Sequence, residues 1–134
     1  MTMIMVVIDP QRRCARWVCA GHEPVMIYDP PTGAFSELCG GDIPLGIELN
    51  VCYHEFSRDD LPPGAIFLIG TDGIWEARNP QRQEFGKERI RNCIHANAAK
   101  SAQEIGRALE QQLLAFIADA PIRDDATGVI VKLV

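Results

Sequence analysis

Two apolar stretches of this chain each join an acidic turn, and this arrangement limits how the chain can fold. The first, residues 65–69, has the continuous apolar pattern of a central strand and runs into an Asp-Gly turn at Asp72. The second, residues 127–133, begins directly after an acidic pair that starts at Asp124. We predict that the two strands are sheet neighbours, or at least lie close enough to bring their acidic turns together. The carboxylates of Asp72 and Asp124 would then lie at one edge of the sheet, within roughly the span of one metal ion.

Clustered carboxylates repel one another unless a cation lies between them, and hard oxygen ligands suit Mg²⁺ or Mn²⁺. The candidate metal ligands are therefore Asp72, which precedes Gly73, and Asp124, with Asp125 the less favoured choice of the acidic pair. Such a site is typical of metal-assisted chemistry on phosphate.

Composition and charge exclude several classes of protein. A chain of 134 residues that is 47% hydrophobic is expected to form one domain, residues 1–134, with a real core. Its net charge is −5 and it has no basic cluster, so we expect no nucleic-acid binding. The apolar stretches are too short for a membrane segment, and the N-terminus lacks the features of a signal peptide. A cytoplasmic location is the resulting expectation.

The five cysteines form no Cys-x-x-Cys pair, and the three histidines show no metal-ligand spacing with them or with one another. We therefore expect reduced thiols that are buried or half-buried. Cys14 and Cys19 lie at an odd offset on one strand, which predicts that they point to opposite faces.

The order of elements predicts a mainly antiparallel α+β fold. Strands are expected at 4–8, 13–20, 25–28, 35–38, 51–56, 65–69 and 127–133, and two helices at 87–96 and from a capping box at Ser101 to about residue 120. The two helices should pack on one face of the sheet through Ile90, Ile94, Leu109, Leu113 and Phe116.

Several short motifs follow one another in a specific order. They are Gly21-His22-Glu23-Pro24, Pro44-Leu45-Gly46-Ile47, the Leu-Ile-Gly-Thr-Asp-Gly-Ile-Trp-Glu-Ala-Arg-Asn run at 68–79, Glu84-Phe85-Gly86 and Asp124-Asp125-Ala126-Thr127. Together they resemble the C-terminal part of the bacterial PPM-type (type 2C) phosphatase domain, in the branch of the stage II sporulation phosphatase and the sigma-factor regulators. Each piece alone is weak, but the combination is specific and covers nearly the whole chain.

This resemblance implies a layered β-sandwich flanked by helices and a Mn²⁺- or Mg²⁺-dependent protein serine/threonine phosphatase. Asp72 matches the ligand of the family's Asp-Gly motif, and Asp124 matches the ligand of its terminal Asp-Asp motif. Metal-activated water performs the hydrolysis in that family, so no protein nucleophile is expected. The implied substrate is a phosphoserine or phosphothreonine on a regulatory protein such as an anti-sigma-factor antagonist, and an upstream sensor domain is a further implied partner.

The chain departs from the family pattern at its start. The family's early acidic metal motif lies well before the Gly-His segment, but only twenty residues precede Gly21 here, and Asp9 does not match that motif. We therefore expect a domain that lacks its N-terminal portion, with little or no phosphatase activity by itself. The alternative is a non-catalytic interaction module or pseudophosphatase derived from the same fold.

Other residues admit simpler interpretations. Glu76 is either a group near the metal or an acid at the start of a helix, and we favour the second. His22 is either a family marker or a structural imidazole in a turn, and we assign it no catalytic role. A haloacid-dehalogenase-like mechanism at Asp9 would need a second aspartate where Gln11 stands, so we discount it.

Overall fold

The computed structural model describes residues 1–121 and 124–134. Its seven strands in this part of the chain are β1 (Met3–Asp9), β2 (Cys14–Ala20), β3 (Val25–Asp29), β4 (Ala34–Leu38), β5 (Glu55–Arg58), β6 (Ile66–Gly70) and β7 (Gly128–Lys132). The helices of the same part are α1 (Asp72–Trp75), α2 (Gly86–Asn97) and α3 (Ala102–Ile117).

The strands form two antiparallel sheets. One has three strands in the order β1-β2-β5, and the other has four strands in the order β4-β3-β6-β7. Strands β6 and β7 pair directly, in a register that runs from Ile66 opposite Lys132 to Gly70 opposite Gly128. The prediction that these two strands are sheet neighbours is confirmed.

The four-stranded sheet lies in the middle of three layers because its central strands are apolar on both faces. Ile27 of β3 and Phe67 of β6 face the three-stranded sheet, in a core that also contains Trp17. Tyr28 and Leu68, one residue further along each strand, belong to the core beneath the helices. Successive side chains of a strand point to opposite faces, so a continuous apolar run forms a strand that is buried on both sides.

The helices cover the outer face of the four-stranded sheet as predicted. Ile90, Ile94, Leu109 and Leu113 are buried in that core, and Phe116 packs against it. Helix α3 begins with the predicted capping box, and it ends at Ile117, slightly before the expected residue 120. None of the helices in the described part of the chain combines the length and the apolar character needed to cross a membrane.

The fifth strand differs from its prediction. Residues 51–56 were expected to be extended, but β5 covers Glu55–Arg58, because the preceding segment is held by a side chain instead of a strand ladder. The Asp42 carboxylate accepts the backbone N–H of His54 at 2.8 Å and contacts its ring Nδ1 at 2.9 Å. The hydrogen bond from the His54 side chain lowers the pKa of Asp42.

The cysteine prediction holds in part. All five are free thiols, with Cys19 and Cys93 buried and Cys14 half-buried. Cys39 and Cys52, by contrast, are exposed, so the prediction of burial is wrong for these two. Both lie in the loop that joins β4 to β5, where neither sheet face covers them.

Candidate metal-binding turns and cleft

The two acidic turns lie side by side at one edge of the four-stranded sheet. Since β6 and β7 are antiparallel, the end of β6 and the start of β7 meet at the same edge. The backbone N–H of Thr71 donates to the carbonyl of Thr127 at 3.0 Å. The N–H of Thr127 donates in turn to the Thr71 hydroxyl oxygen at 3.1 Å, so the strand pairing continues into the turns.

The backbones of the two acidic turns approach each other closely. The Thr71 hydroxyl donates to the carbonyl of Asp125 at 3.3 Å. A Cβ added to Gly73 would lie only 2.4 Å from that same carbonyl oxygen, closer than side-chain carbons approach backbone atoms. The φ of Gly73 is not in the left-handed region, so its backbone conformation does not require a glycine. The neighbouring turn does, because it leaves no room for a Cβ.

The candidate ligands themselves are exposed carboxylates. Asp72 is the first residue of α1, and its Oδ1 accepts the backbone N–H of Gly73 at 3.0 Å. Oδ1 of Asp124 accepts the N–H of Asp125 at 2.8 Å. Each of these hydrogen bonds comes from the next residue along the chain and fixes the carboxylate on its own turn.

A cleft opens beside the turns. One of its walls is apolar and comes from the end of α3, whereas the other comes from the residues that follow α1. Its described lining residues are Gly73, Glu76, Ala77, Arg78, Leu113, Leu114, Ile117, Pro121, Asp124, Asp125 and Ala126. Asp72 is not one of them, although its neighbour Gly73 is.

The donor chemistry of the turns fits Mg²⁺ or Mn²⁺, because both candidate ligands are carboxylates. Within residues 1–121 and 124–134, however, no three His, Cys, Asp or Glu side chains come together in a way that could hold a metal ion. The described residues thus supply part of a coordination shell. The expectation that the carboxylates of Asp72 and Asp124 lie within the span of one ion stays a prediction.

The other candidate residues have structural surroundings. Glu76 is the C-cap of α1 and not a helix-start residue, so that prediction is wrong; its N–H donates to the Asp72 carbonyl at 2.8 Å. The short helix was itself not predicted, since the Asp-Gly pair has the pattern of a simple turn. His22 is half-buried and its Nδ1 contacts the Glu23 carbonyl at 2.9 Å, which favours a structural imidazole.

Arg78 is a cleft residue that the sequence prediction missed. It lies at the base of a short hairpin, bridged to Glu84, and its Nη2 is 2.7 Å from the Glu84 Oε1. The available signal was its position two residues after Glu76 in the long motif, but an isolated arginine in a loop is most often a solvated surface residue.

Comparison with known proteins agrees with this architecture. The family model described as stage II sporulation protein E (SpoIIE) matches residues 1–134. Protein IcfG of Synechocystis sp. (strain ATCC 27184 / PCC 6803 / Kazusa) is 30% identical over 132 residues, which are 97% of this chain and 20% of that protein. The phosphoserine phosphatase RsbU of Bacillus subtilis (strain 168) is 26% identical over 116 residues, 87% of this chain and 34% of that protein.

Solved structures share the fold at lower identity. The SiaA-PP2C domain of Pseudomonas aeruginosa superposes with a TM-score of 0.81 at 23% identity, over 98% of this chain and 51% of that one. The phosphatase domain of SpoIIE from Bacillus subtilis, presoaked with Mn, gives a TM-score of 0.70 at 19% identity, over 98% of this chain and 56% of that one. RsbX in complex with magnesium gives 0.65 at 19% identity, over 99% and 56% of the two chains.

The matches thus cover most or all of this chain but only part of its relatives. The chain spans about a fifth and a third of the two curated relatives and about half of the solved chains. The expected α+β fold, a layered sandwich of two antiparallel sheets with helices on one face, is confirmed by the structure and by these neighbours. With a family model that matches all 134 residues, the chain belongs to the stage II sporulation protein E (SpoIIE) family of PP2C-type phosphatase domains.

Proposed function

We propose that this chain contributes the C-terminal part of a metal-dependent protein serine/threonine phosphatase domain. The observation that carries the proposal is the juxtaposition of the two acidic turns, which hydrogen bonds through Thr71 and Thr127 hold at the paired ends of β6 and β7. Membership of a phosphatase family supports the same activity.

In this proposal Asp72 and Asp124 hold Mn²⁺ or Mg²⁺, with Asp125 the alternative in the second turn. When bound, such ions activate water and neutralise charge on a phosphate ester, so the chain needs no nucleophile of its own. The residues around the carboxylates keep them in place. Thr71 fixes the spacing of the two turns, and Gly73 permits their close approach.

The substrate we propose is a phosphoserine or phosphothreonine on a regulatory protein such as an anti-sigma-factor antagonist. One relative is named a phosphoserine phosphatase, and another solved neighbour contains RsbU and RsbW domains of Rv1364c from Mycobacterium tuberculosis. The chain covers only 20% of IcfG, which leaves room in such proteins for the expected sensor domain. The cytoplasmic location stays a prediction.

A second candidate function is a non-catalytic interaction module or pseudophosphatase. The observation that favours it is the incomplete ligand set, since the described residues gather fewer than three metal-binding side chains at any one place. The presence of both Asp72 and Asp124 on adjoining turns favours the phosphatase, because a module used only for binding has no need of either carboxylate.

The two candidates are separated by measuring Mn²⁺-dependent hydrolysis of a phosphoserine peptide. We expect little or no turnover by the 134-residue chain and clear turnover by a longer version that carries the family's early acidic motif. Asp72→Asn or Asp124→Asn should abolish the activity of the longer version. Asp59→Asn is the matched control, because Asp59 is also an exposed aspartate but precedes the start of β6, whereas the acidic turns lie at the end of that strand.

Two results would contradict the proposal. Strong Mn²⁺-dependent turnover by the 134-residue chain that survives both substitutions would show that the site lies elsewhere. A longer version that folds, contains the early motif and binds the phosphopeptide without hydrolysing it would favour the interaction module.

A further inference from the structure

The negative charge of the cleft opposes the binding of any phosphorylated substrate. Three carboxylates, those of Glu76, Asp124 and Asp125, line it, and the chain as a whole carries a net charge of −5. A phosphate dianion that approaches this surface is repelled at long and at short range. Substrate binding therefore calls for a local cation in addition to any metal ion.

Arg78 is the one basic residue among the described residues that line the cleft. Its Nη2 contacts Glu84 at 2.7 Å, which uses one of the five N–H donors of the guanidinium. The side chain remains 46% exposed, so further donors are accessible to a ligand. Planar guanidinium groups bind phosphate oxygens through two parallel hydrogen bonds, which a lysine cannot reproduce.

The hairpin that carries Arg78 is braced at several points. The N–H of Phe85 donates to the Ala77 carbonyl at 2.8 Å, closing the hairpin just outside Arg78. Within it, Asn79 and Gln83 exchange backbone and side-chain hydrogen bonds of 2.9 to 3.1 Å. A charge on such a segment is held in position before a ligand arrives, which lowers the entropic cost of binding.

We propose that Arg78 binds the phosphoryl group of the phosphorylated substrate in this cleft. The inference rests on the proposed function and adds to it a substrate-binding residue outside the metal-binding turns. Arg78 then makes phosphorylated segments bind more tightly than unphosphorylated ones, at a surface whose carboxylates otherwise repel phosphate.

The test is a binding measurement that requires no turnover. A fluorescein-labelled phosphoserine peptide and its unphosphorylated twin are titrated with the 134-residue chain at low ionic strength in Mg²⁺, and fluorescence anisotropy is recorded. We expect the phosphorylated peptide to bind more tightly. Arg78→Gln should weaken its binding about tenfold, as expected for loss of a charge-assisted hydrogen bond, and leave the twin unaffected.

Two variants distinguish phosphate binding from a merely structural ion pair. Arg82→Gln removes the same charge from the same hairpin at an exposed residue outside the cleft lining, so it should change binding little. Glu84→Gln breaks the same ion pair as Arg78→Gln but removes a competing carboxylate, so phosphopeptide binding should be maintained or tightened.

Three results would overturn the inference: no preference of the wild type for the phosphorylated peptide, equal losses in Arg78→Gln and Arg82→Gln, or an equal loss in Glu84→Gln. A different result would refute the proposed function, namely hydrolysis that does not depend on Asp72 and Asp124. The outcome of the anisotropy experiment does not depend on that assay.

Discussion

The close contact between the two acidic turns can be tested by replacing Gly73 with alanine. The added Cβ would lie 2.4 Å from the carbonyl oxygen and 2.9 Å from the carbonyl carbon of Asp125. Both are backbone atoms and cannot rotate away, so one turn has to move. Displacing the Asp125 turn also displaces the neighbouring Asp124 carboxylate from that of Asp72.

The size of the effect follows from two opposing terms. Overpacking a well-fitted contact costs about 1–3 kcal/mol. Alanine recovers up to ~1 kcal/mol of this, because Gly73 is a helical residue of α1 and glycine is the poorer helix former. We expect a net loss of about 1–2 kcal/mol, which lowers the Tm of a domain of this size by roughly 3–10 °C.

The assay compares thermal unfolding and Mn²⁺ affinity of Gly73→Ala with those of Gly41→Ala. Gly41 is the matched control, because a Cβ there meets nothing within 4 Å and its φ is not in the left-handed region. The control should be as stable as the wild type or slightly more stable. If Gly73→Ala matched the control in both Tm and Mn²⁺ affinity, the close approach of the turns would be refuted.

Three further predictions concern the rest of the fold. Lys132→Met should cost about 1–2 kcal/mol in denaturant unfolding, because the Lys132 ammonium donates to two backbone carbonyls after α2, each at 2.8 Å. Ser101→Ala should cost about 1 kcal/mol by removing the cap of α3. Hydrogen bonding from Ser101 lowers the pKa of Glu104, so the contribution of the Glu104 carboxylate is present above the ordinary pKa of 4.5 and is lost as the pH falls through the lowered value. The difference in stability between the two proteins should therefore narrow in acid, while the part due to the bond from the Glu104 N–H to the Ser101 hydroxyl remains. Ellman's reagent should modify the exposed Cys39 quickly and Cys93 slowly, because burial raises the pKa of the Cys93 thiol.

The parts of the fold that depend on local pattern could be predicted from the sequence. The apolar run at 65–69 identified a central strand, and the structure places Phe67 and Leu68 in opposite cores. The capping box at Ser101 identified the start of α3 correctly because its two hydrogen bonds are local. Such features require only near neighbours in the chain.

The parts that depend on distant contacts could not be predicted. The start of β5 is displaced because His54 binds Asp42, twelve residues away. Gly73 has the pattern of an ordinary turn residue, and its real constraint is the carbonyl of Asp125 in the turn before β7. Likewise, Arg78 becomes notable only once the end of α3 closes the cleft beside it. Tertiary contacts decide each of these cases.

The central claim is that Asp72 and Asp124 bind the same metal ion, and Mn²⁺ titration followed by electron paramagnetic resonance tests it most directly. We predict weak binding by the wild-type chain, because two carboxylates leave most of an octahedral shell to water. Asp72→Asn, Asp124→Asn and the double variant should each lose this binding to the same extent, whereas Asp59→Asn retains it. Independent, additive losses from the two substitutions, or unchanged binding in the double variant, would contradict a shared site.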